Sequence, residues 1–189
     1  MRNDEYIFVT KLIQQFRSDF DVFTEVKSKC RTSRIDLVLL YQKKFLFGIE
    51  CKIPDKKKGN EIFQYVNQAK RYTEMKWELN NQFFTMPILL CPPLSYNYFI
   101  MNECEQQIDN ELWHKDRHNK KHDHHSFNGF LGGFNIGEVR KINAGYQFAM
   151  NNKPLFKKIQ YANGNGWVGV YEDNYASHMA KIKEYDSAI

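Results

Sequence analysis

The chain has 189 residues and a formal net charge of +5, from 27 Lys and Arg against 22 Asp and Glu. That length suits one domain with room for an appended subdomain, and the modest positive balance suits a polyanionic partner without requiring one. No apolar run approaches the roughly 18 residues of a membrane span and no apolar leader follows Met1. The four cysteines (Cys30, Cys51, Cys91, Cys104) lack Cys-x-x-Cys spacing, which points to reduced thiols in a cytoplasm, away from membranes.

The first expected element is a helix over residues 4–16, with Tyr6, Val9, Ile13 and Phe16 on one side and Phe8 and Leu12 beside them. Glu5 falls in its first turn, where a carboxylate complements the helix macrodipole; the alternative is that it points into a site. Residues 21–26 read as a strand in which Val22, Thr24 and Val26 alternate with Phe23 and Glu25. Glu25 faces either a site or solvent. The basic connection over 27–34, with Lys27, Lys29, Arg31 and Arg34, suits contact with a phosphate backbone, or is an ordinary solvated loop.

Residues 35–40 and 45–52 are two apolar runs of strand-like composition on either side of Tyr41-Gln42-Lys43-Lys44. The spacer has room for only a tight reversal, so the pair reads as a β-hairpin. With the turn centred on Lys43, Tyr41 faces Phe45 and Asp36 lies opposite Glu50. Cross-strand partners point to one face with Cβ atoms about 4.5–5.5 Å apart, and Lys52 returns to that face by alternation. Two carboxylates and an ammonium group therefore meet on an apolar sheet, which is costly unless the charges pair or bind a cation. Magnesium accepts oxygen ligands and is commonly held by one or two carboxylates plus substrate phosphate. It polarises a phosphoryl oxygen and acidifies a bound water, and Lys52 is placed to orient that water or to stabilise charge on the phosphate. The competing reading is a surface ion pair between Lys52 and either acid.

After Pro54 and Asp55, residues 60–77 have helical periodicity, with Asn60 as N-cap and Ile62, Val66, Ala69, Thr73 and Trp77 as an apolar stripe. Gln64, Gln68 and Tyr72 make a polar stripe beside it. Taken alone, that stripe is an amphipathic flank. Residues 82–91 then supply a strand, dense enough at Ile88-Leu89-Leu90-Cys91 for burial on both faces, and Pro92-Pro93 end it.

Beyond residue 93 an acidic stretch (103–111) precedes five histidines in the twelve residues 114–125. His114, His118 and His122 would share a helical face, but no cysteine accompanies them, so a solvated basic segment is preferred to a zinc site. Gly- and Asn-rich turns divide the rest into short strands over 134–142, 146–150 and 167–171, followed by a helix over 176–185. Arg140 and Lys141, near Tyr146 and Phe148, read as a nucleic-acid grip or as part of a self-packed β-subdomain.

The order Asp36, thirteen intervening residues, Glu50-Cys51-Lys52, then a helix carrying Gln68-Ala69-Lys70-Arg71-Tyr72 resembles the PD-(D/E)XK nuclease superfamily. The Gln-x-x-x-Tyr element is similar to that of its RecB-type and lambda-exonuclease-type branches. The resemblance covers roughly residues 1–93; Ile35 stands where the pattern has Pro before the Asp. It implies an α/β restriction-endonuclease-like core over 1–93, a mixed sheet flanked by helices, with residues 94–189 as a β-rich extension of the same globular unit. It implies a Mg²⁺- or Mn²⁺-dependent nuclease acting on DNA. Asp36, Glu50 and the backbone carbonyl of Cys51 would hold the metal, joined by Glu5 or Glu25. Lys52 would be the catalytic lysine, with Gln68 and Tyr72 as substrate-facing supports and Arg34, Lys70 and Arg71 near the nucleic acid. No Gly-x-Ser-x-Gly elbow and no Walker-type loop is present, so neither acyl transfer nor a nucleotide cofactor is expected. The alternatives are a non-catalytic nucleic-acid-binding or assembly protein, or a nuclease of RNA or branched DNA; a homodimer is left open.

Overall fold

Apolar residues on both faces of the central strands force a layered arrangement, because each face needs its own cover. The computed structural model describes residues 3–52, 61–91, 131, 133–142, 145–150, 153–160 and 166–170. The acidic and His-rich stretches, the Asn60 cap, Pro92-Pro93 and the helix expected over 176–185 lie outside these residues. The elements are α1 (Asn3–Phe16), β1 (Asp21–Lys27), β2 (Arg34–Tyr41), β3 (Phe45–Cys51), α2 (Glu61–Thr73), β4 (Trp77–Leu79), β5 (Gln82–Phe84), β6 (Ile88–Cys91), β7 (Ile136–Ile142), β8 (Gly145–Met150), β9 (Lys153–Gln160) and β10 (Gly166–Val170).

The fold is α/β, built on a mixed eight-stranded sheet in the order β1-β2-β3-β6-β7-β8-β9-β10. Strands β3, β6 and β7 run parallel to one another, and both flanks are antiparallel. The strands after residue 93 thus continue the sheet begun by the hairpin. One core lies beneath α1, where Phe8, Leu12 and Phe16 meet Leu37, Leu39, Phe47 and Ile49. The other lies beneath α2, where Tyr65, Ala69 and Tyr72 meet Val38, Leu40, Leu46 and Leu90. Gly48 is needed where β3 passes its neighbours: a Cβ there would sit 2.6 Å from Ile35 Cδ1 and 2.7 Å from Ile88 Cδ1.

The hairpin register pairs Tyr41 with Phe45 and continues through Leu37 and Ile49. Its turn is closed by Lys44 N–H donating to Tyr41 O, 3.0 Å, with Gln42 and Lys43 both at positive φ. Two expectations need correction, and one strand has no counterpart in the sequence reading. The helix expected to reach Trp77 ends at Thr73, because Glu74 and Met75 turn back onto the carbonyls of Arg71 and Tyr72. Trp77 then opens β4, and its Nε1 donates to the Tyr72 carbonyl, 3.0 Å, satisfying a group at the helix end. The strand expected over 82–91 is two strands. Asn80 and Asn81, both at positive φ, turn β5 back onto β4, and Pro87, which has no N–H for a ladder, separates β5 from β6. Strand β9 was not foreseen.

Strand β1 holds the main irregularity. Its pairing with β2 steps from Thr24–Leu37 to Val26–Ile35, and Glu25 between them has φ 52°. A left-handed non-glycine residue inside a strand costs about 1–2 kcal/mol and turns the chain. The alternation slips accordingly. Val22 and Leu37 pack under α1, whereas Val26 and Ile35, an even number of residues away, pack under α2.

Candidate functional site

The slip falls at the open end of the hairpin, one register step beyond Leu37–Ile49, and that step is Asp36 against Glu50. Asp36 turns its Oδ2 to the N–H of Cys51, 2.7 Å away. Glu50 points towards α2 and is only 5% exposed. Its Oε1 accepts from Gln68 Nε2 at 2.5 Å. Its Oε2 is buried with no hydrogen-bond partner.

Helix α2 supplies the scaffold around Glu50. Gln68 and Tyr72, four residues apart, share a helical face, and Gln68 Nε2 also donates to the Tyr72 hydroxyl, 2.9 Å. That hydroxyl in turn donates to the carbonyl of Arg34, 2.9 Å. The chain Glu50–Gln68–Tyr72–Arg34 thereby ties α2 to both strands of the hairpin. One turn earlier, the buried Tyr65 hydroxyl donates to the Glu50 carbonyl, 2.7 Å, and accepts from Cys91 N–H, 2.9 Å. It sits in the ladder between β3 and β6, fixing the backbone of Glu50.

The electrostatics follow from burial. Loss of water around Glu50 raises its pKa to about 9, with the charge of Asp36 adding to the effect and Lys52 opposing it. Burial likewise raises Asp36 to about 6; the Cys51 N–H opposes that rise, Glu5 and Glu25 add to it, and Lys52 again opposes. Asp36 ionises first, and its charge then weighs on Glu50.

A cleft of about 1020 Å³ opens over this pair. Asp36, Glu50 and Gln68 line it, as do Glu5 from α1 and Glu25 from β1. Both acids therefore line the cleft, Glu5 from the first turn of α1. Arg34 and Arg71 line it as well, Arg34 with its Nη1 3.0 Å from Glu25 Oε2. Lys52 follows the last residue of β3, so strand alternation does not extend to it, and it is not among the cleft-lining residues. Its backbone N–H donates to Cys91 O, 3.0 Å, and its charge acts on both carboxylates. Cys51 is buried in the core beneath α1, with its backbone N–H donating to Asp36.

Other expected contacts fall elsewhere. Gln64, the third member of the polar stripe, is exposed and is not among the cleft-lining residues. Tyr72 lines the cleft but is 6% exposed, with its hydroxyl engaged inside the protein, so it positions Gln68 and Arg34. Lys70 holds its Nζ 4.5 Å from the ring centroid of Phe134 and is not a cleft residue. Arg140 and Lys141 lie in β7 opposite Gln147 and Tyr146, separated from β3 by β6. Sequence reasoning missed Tyr65. The available signal was the spacing of Tyr65, Ala69 and Tyr72, which marks the α2 face that meets the sheet.

Among the described residues, no group of three or more His, Cys, Asp or Glu side chains is arranged to hold a metal ion. Two carboxylates do converge, and one buried carboxylate oxygen there has no partner. An oxygen-seeking divalent cation that keeps several waters and takes further oxygens from a phosphate suits such a donor pair. No family model, curated protein or solved structure matches the chain. No helix among the described residues is long and apolar enough to cross a membrane.

Proposed function

We propose that this chain is a metal-dependent nuclease with a restriction-endonuclease-like core, hydrolysing phosphodiester bonds in DNA. The observation that carries the proposal is the unpartnered, buried Glu50 Oε2 beside Asp36. A carboxylate kept out of water with one free oxygen is destabilised, and a bound divalent cation would relieve it. Asp36 and Glu50 would hold Mg²⁺, with the Cys51 carbonyl alongside. When bound, the metal would polarise the scissile phosphate and acidify a water.

The remaining chemistry belongs to the chain itself. Lys52, whose charge already acts on both carboxylates, supplies positive charge where the phosphate becomes more negative. Gln68 fixes the Glu50 carboxylate by donating to Oε1, leaving Oε2 for the cation. Tyr65 fixes the Glu50 backbone. Arg34 and Arg71 place guanidinium groups in the cleft, where bidentate contact with phosphate is favourable.

The test is incubation of the purified protein with circular and linear DNA, with Mg²⁺ and with excess chelator. Cleavage that requires Mg²⁺ and is lost in Asp36→Asn supports the proposal. Full activity in chelator, or no cleavage of any DNA with Mg²⁺ or Mn²⁺, would overturn it.

A further inference from the structure

The cleft has two walls of different chemistry. On the α1 side, Tyr6, Val9 and Ile13 follow helical spacing and line the space with an aromatic ring and aliphatic groups. Tyr6 is 61% exposed, a large ring left in water at the mouth of the cleft. On the other side stand Thr32, Ser33, Arg34 and Arg71, two hydroxyls and two guanidinium groups, of which Arg34 is paired with the Glu25 carboxylate and Arg71 belongs to α2. The walls belong to opposite faces of the sheet, since α1 covers one core and α2, which carries Arg71, covers the other.

Building on the nuclease reading above, we infer that the cleft takes a single nucleic-acid strand, with a base stacked on Tyr6 and the phosphates along Arg34 and Arg71. A duplex shows phosphate rails on its outside and keeps its bases within. Set in this cleft, one rail would meet the apolar α1 wall and the Glu5 carboxylate, which repels it. A single strand has one phosphate edge and one base edge, and each finds a matching wall. Base stacking on an aromatic side chain contributes about 1–3 kcal/mol per base without reading sequence. Tyr6 is therefore the residue that selects unpaired strands. Duplex DNA is accepted where an end or a gap supplies one.

The test is binding by fluorescence anisotropy with Ca²⁺ in place of Mg²⁺, using labelled oligothymidylate and a blunt duplex of the same length. The single strand should bind at least about tenfold more tightly. Tyr6→Ala should weaken single-strand binding by about 5- to 150-fold while leaving duplex binding unchanged, and Tyr6→Phe, which keeps the ring, should match the parent. The ring is exposed, so the melting temperature of Tyr6→Ala reports whether the fold is intact. Equal affinity for the two DNAs, or parent-like single-strand affinity in a folded Tyr6→Ala, would overturn the inference. Mg²⁺-dependent cleavage alongside either result would leave the nuclease reading standing. Tyr6-dependent strand binding without cleavage would instead overturn the nuclease reading and keep the strand site.

Discussion

At its turn, the β2–β3 hairpin ends in a cluster of rings: Tyr41 lies 5.5 Å from Phe20 and 6.4 Å from Phe45, and Phe47 meets Phe148 edge-on at 5.5 Å. At its open end the same two strands finish in Asp36 and Glu50, with a left-handed Glu25 beside them and a carboxylate oxygen buried without a partner. Where the register is continuous, side chains alternate and rings close on one another. Where it stops, a backbone N–H turns to a carboxylate and the alternation slips. One end supplies stability, and the other keeps polar groups in an unfavourable state that a ligand can relieve.

Substitutions at the open end should therefore act on chemistry first. Asp36→Asn keeps an acceptor for the Cys51 N–H but removes the charge, so it should abolish Mg²⁺ binding and cleavage. Its melting temperature in chelator at neutral pH should stay at or above the parent's, since Asp36 is ionised there at a cost. Titration calorimetry and a cleavage assay check this. Lys52→Ala should retain metal binding and slow cleavage by about 10²–10⁴-fold; an unchanged rate would return Lys52 to a surface ion-pair role.

The turn end should behave in the opposite way. Phe47 is fully buried, so Phe47→Ala should cost about 3–5 kcal/mol, a fall in melting temperature of roughly 2–4 °C per kcal/mol for a chain of this size. Its cleavage rate per folded molecule at low temperature should remain that of the parent. A catalytic defect there would erase the distinction between the two ends.

Tyr65→Phe sharpens the boundary between them. It leaves the Glu50 carbonyl and the Cys91 N–H without their bridging hydroxyl, which should cost about 1–3 kcal/mol by denaturant titration. The rate should also drop, by less than for Lys52→Ala, because Glu50 is no longer fixed at its backbone.

A further test is a slope with pH. Glu50 keeps its proton to about pH 9 in the folded chain, against 4.5 for an ordinary glutamate, and Asp36 keeps its own to about 6 against 3.8. Folding therefore retains protons, and stability in chelator should be greatest at low pH and fall as pH rises through these windows. Glu50→Gln cannot ionise, so its melting temperature should lie above the parent's at pH 8 and vary less with pH. Mg²⁺ should narrow that difference for the parent alone. Identical pH slopes for parent and variant would show that Glu50 does not carry the burden.

Much of the hairpin could be read from sequence because its length and apolar runs leave one register. Asp36 and Glu50 followed from counting. Gln68 and Tyr72 were visible as a stripe, although the stripe also suggested Gln64, which its position on the helix leaves in solvent. Three features were hidden for physical reasons. The regular alternation of Val22, Thr24 and Val26 gives no sign that Glu25 is left-handed, since that conformation depends on how β1 meets β2 and α1. Tyr65 reads as one more apolar residue until β6 is placed beside β3. Lys70 finds Phe134 only because β7 joins the sheet next to β6, across many residues of chain.

The Tyr65 bridge also orders events in time. Strands β1, β2 and β3 are neighbours in sequence and can associate through short loop closures, which are fast. Strand β6 reaches β3 only after α2 and the β4–β5 hairpin have been accommodated, and such non-local parallel pairing is slow. The hydroxyl that links Glu50 to Cys91 forms its second hydrogen bond only after β6 docks. The carboxylate pair is therefore held in a fixed geometry only late in folding, and a partly folded chain carries Asp36 and Glu50 without the backbone restraint that Tyr65 provides.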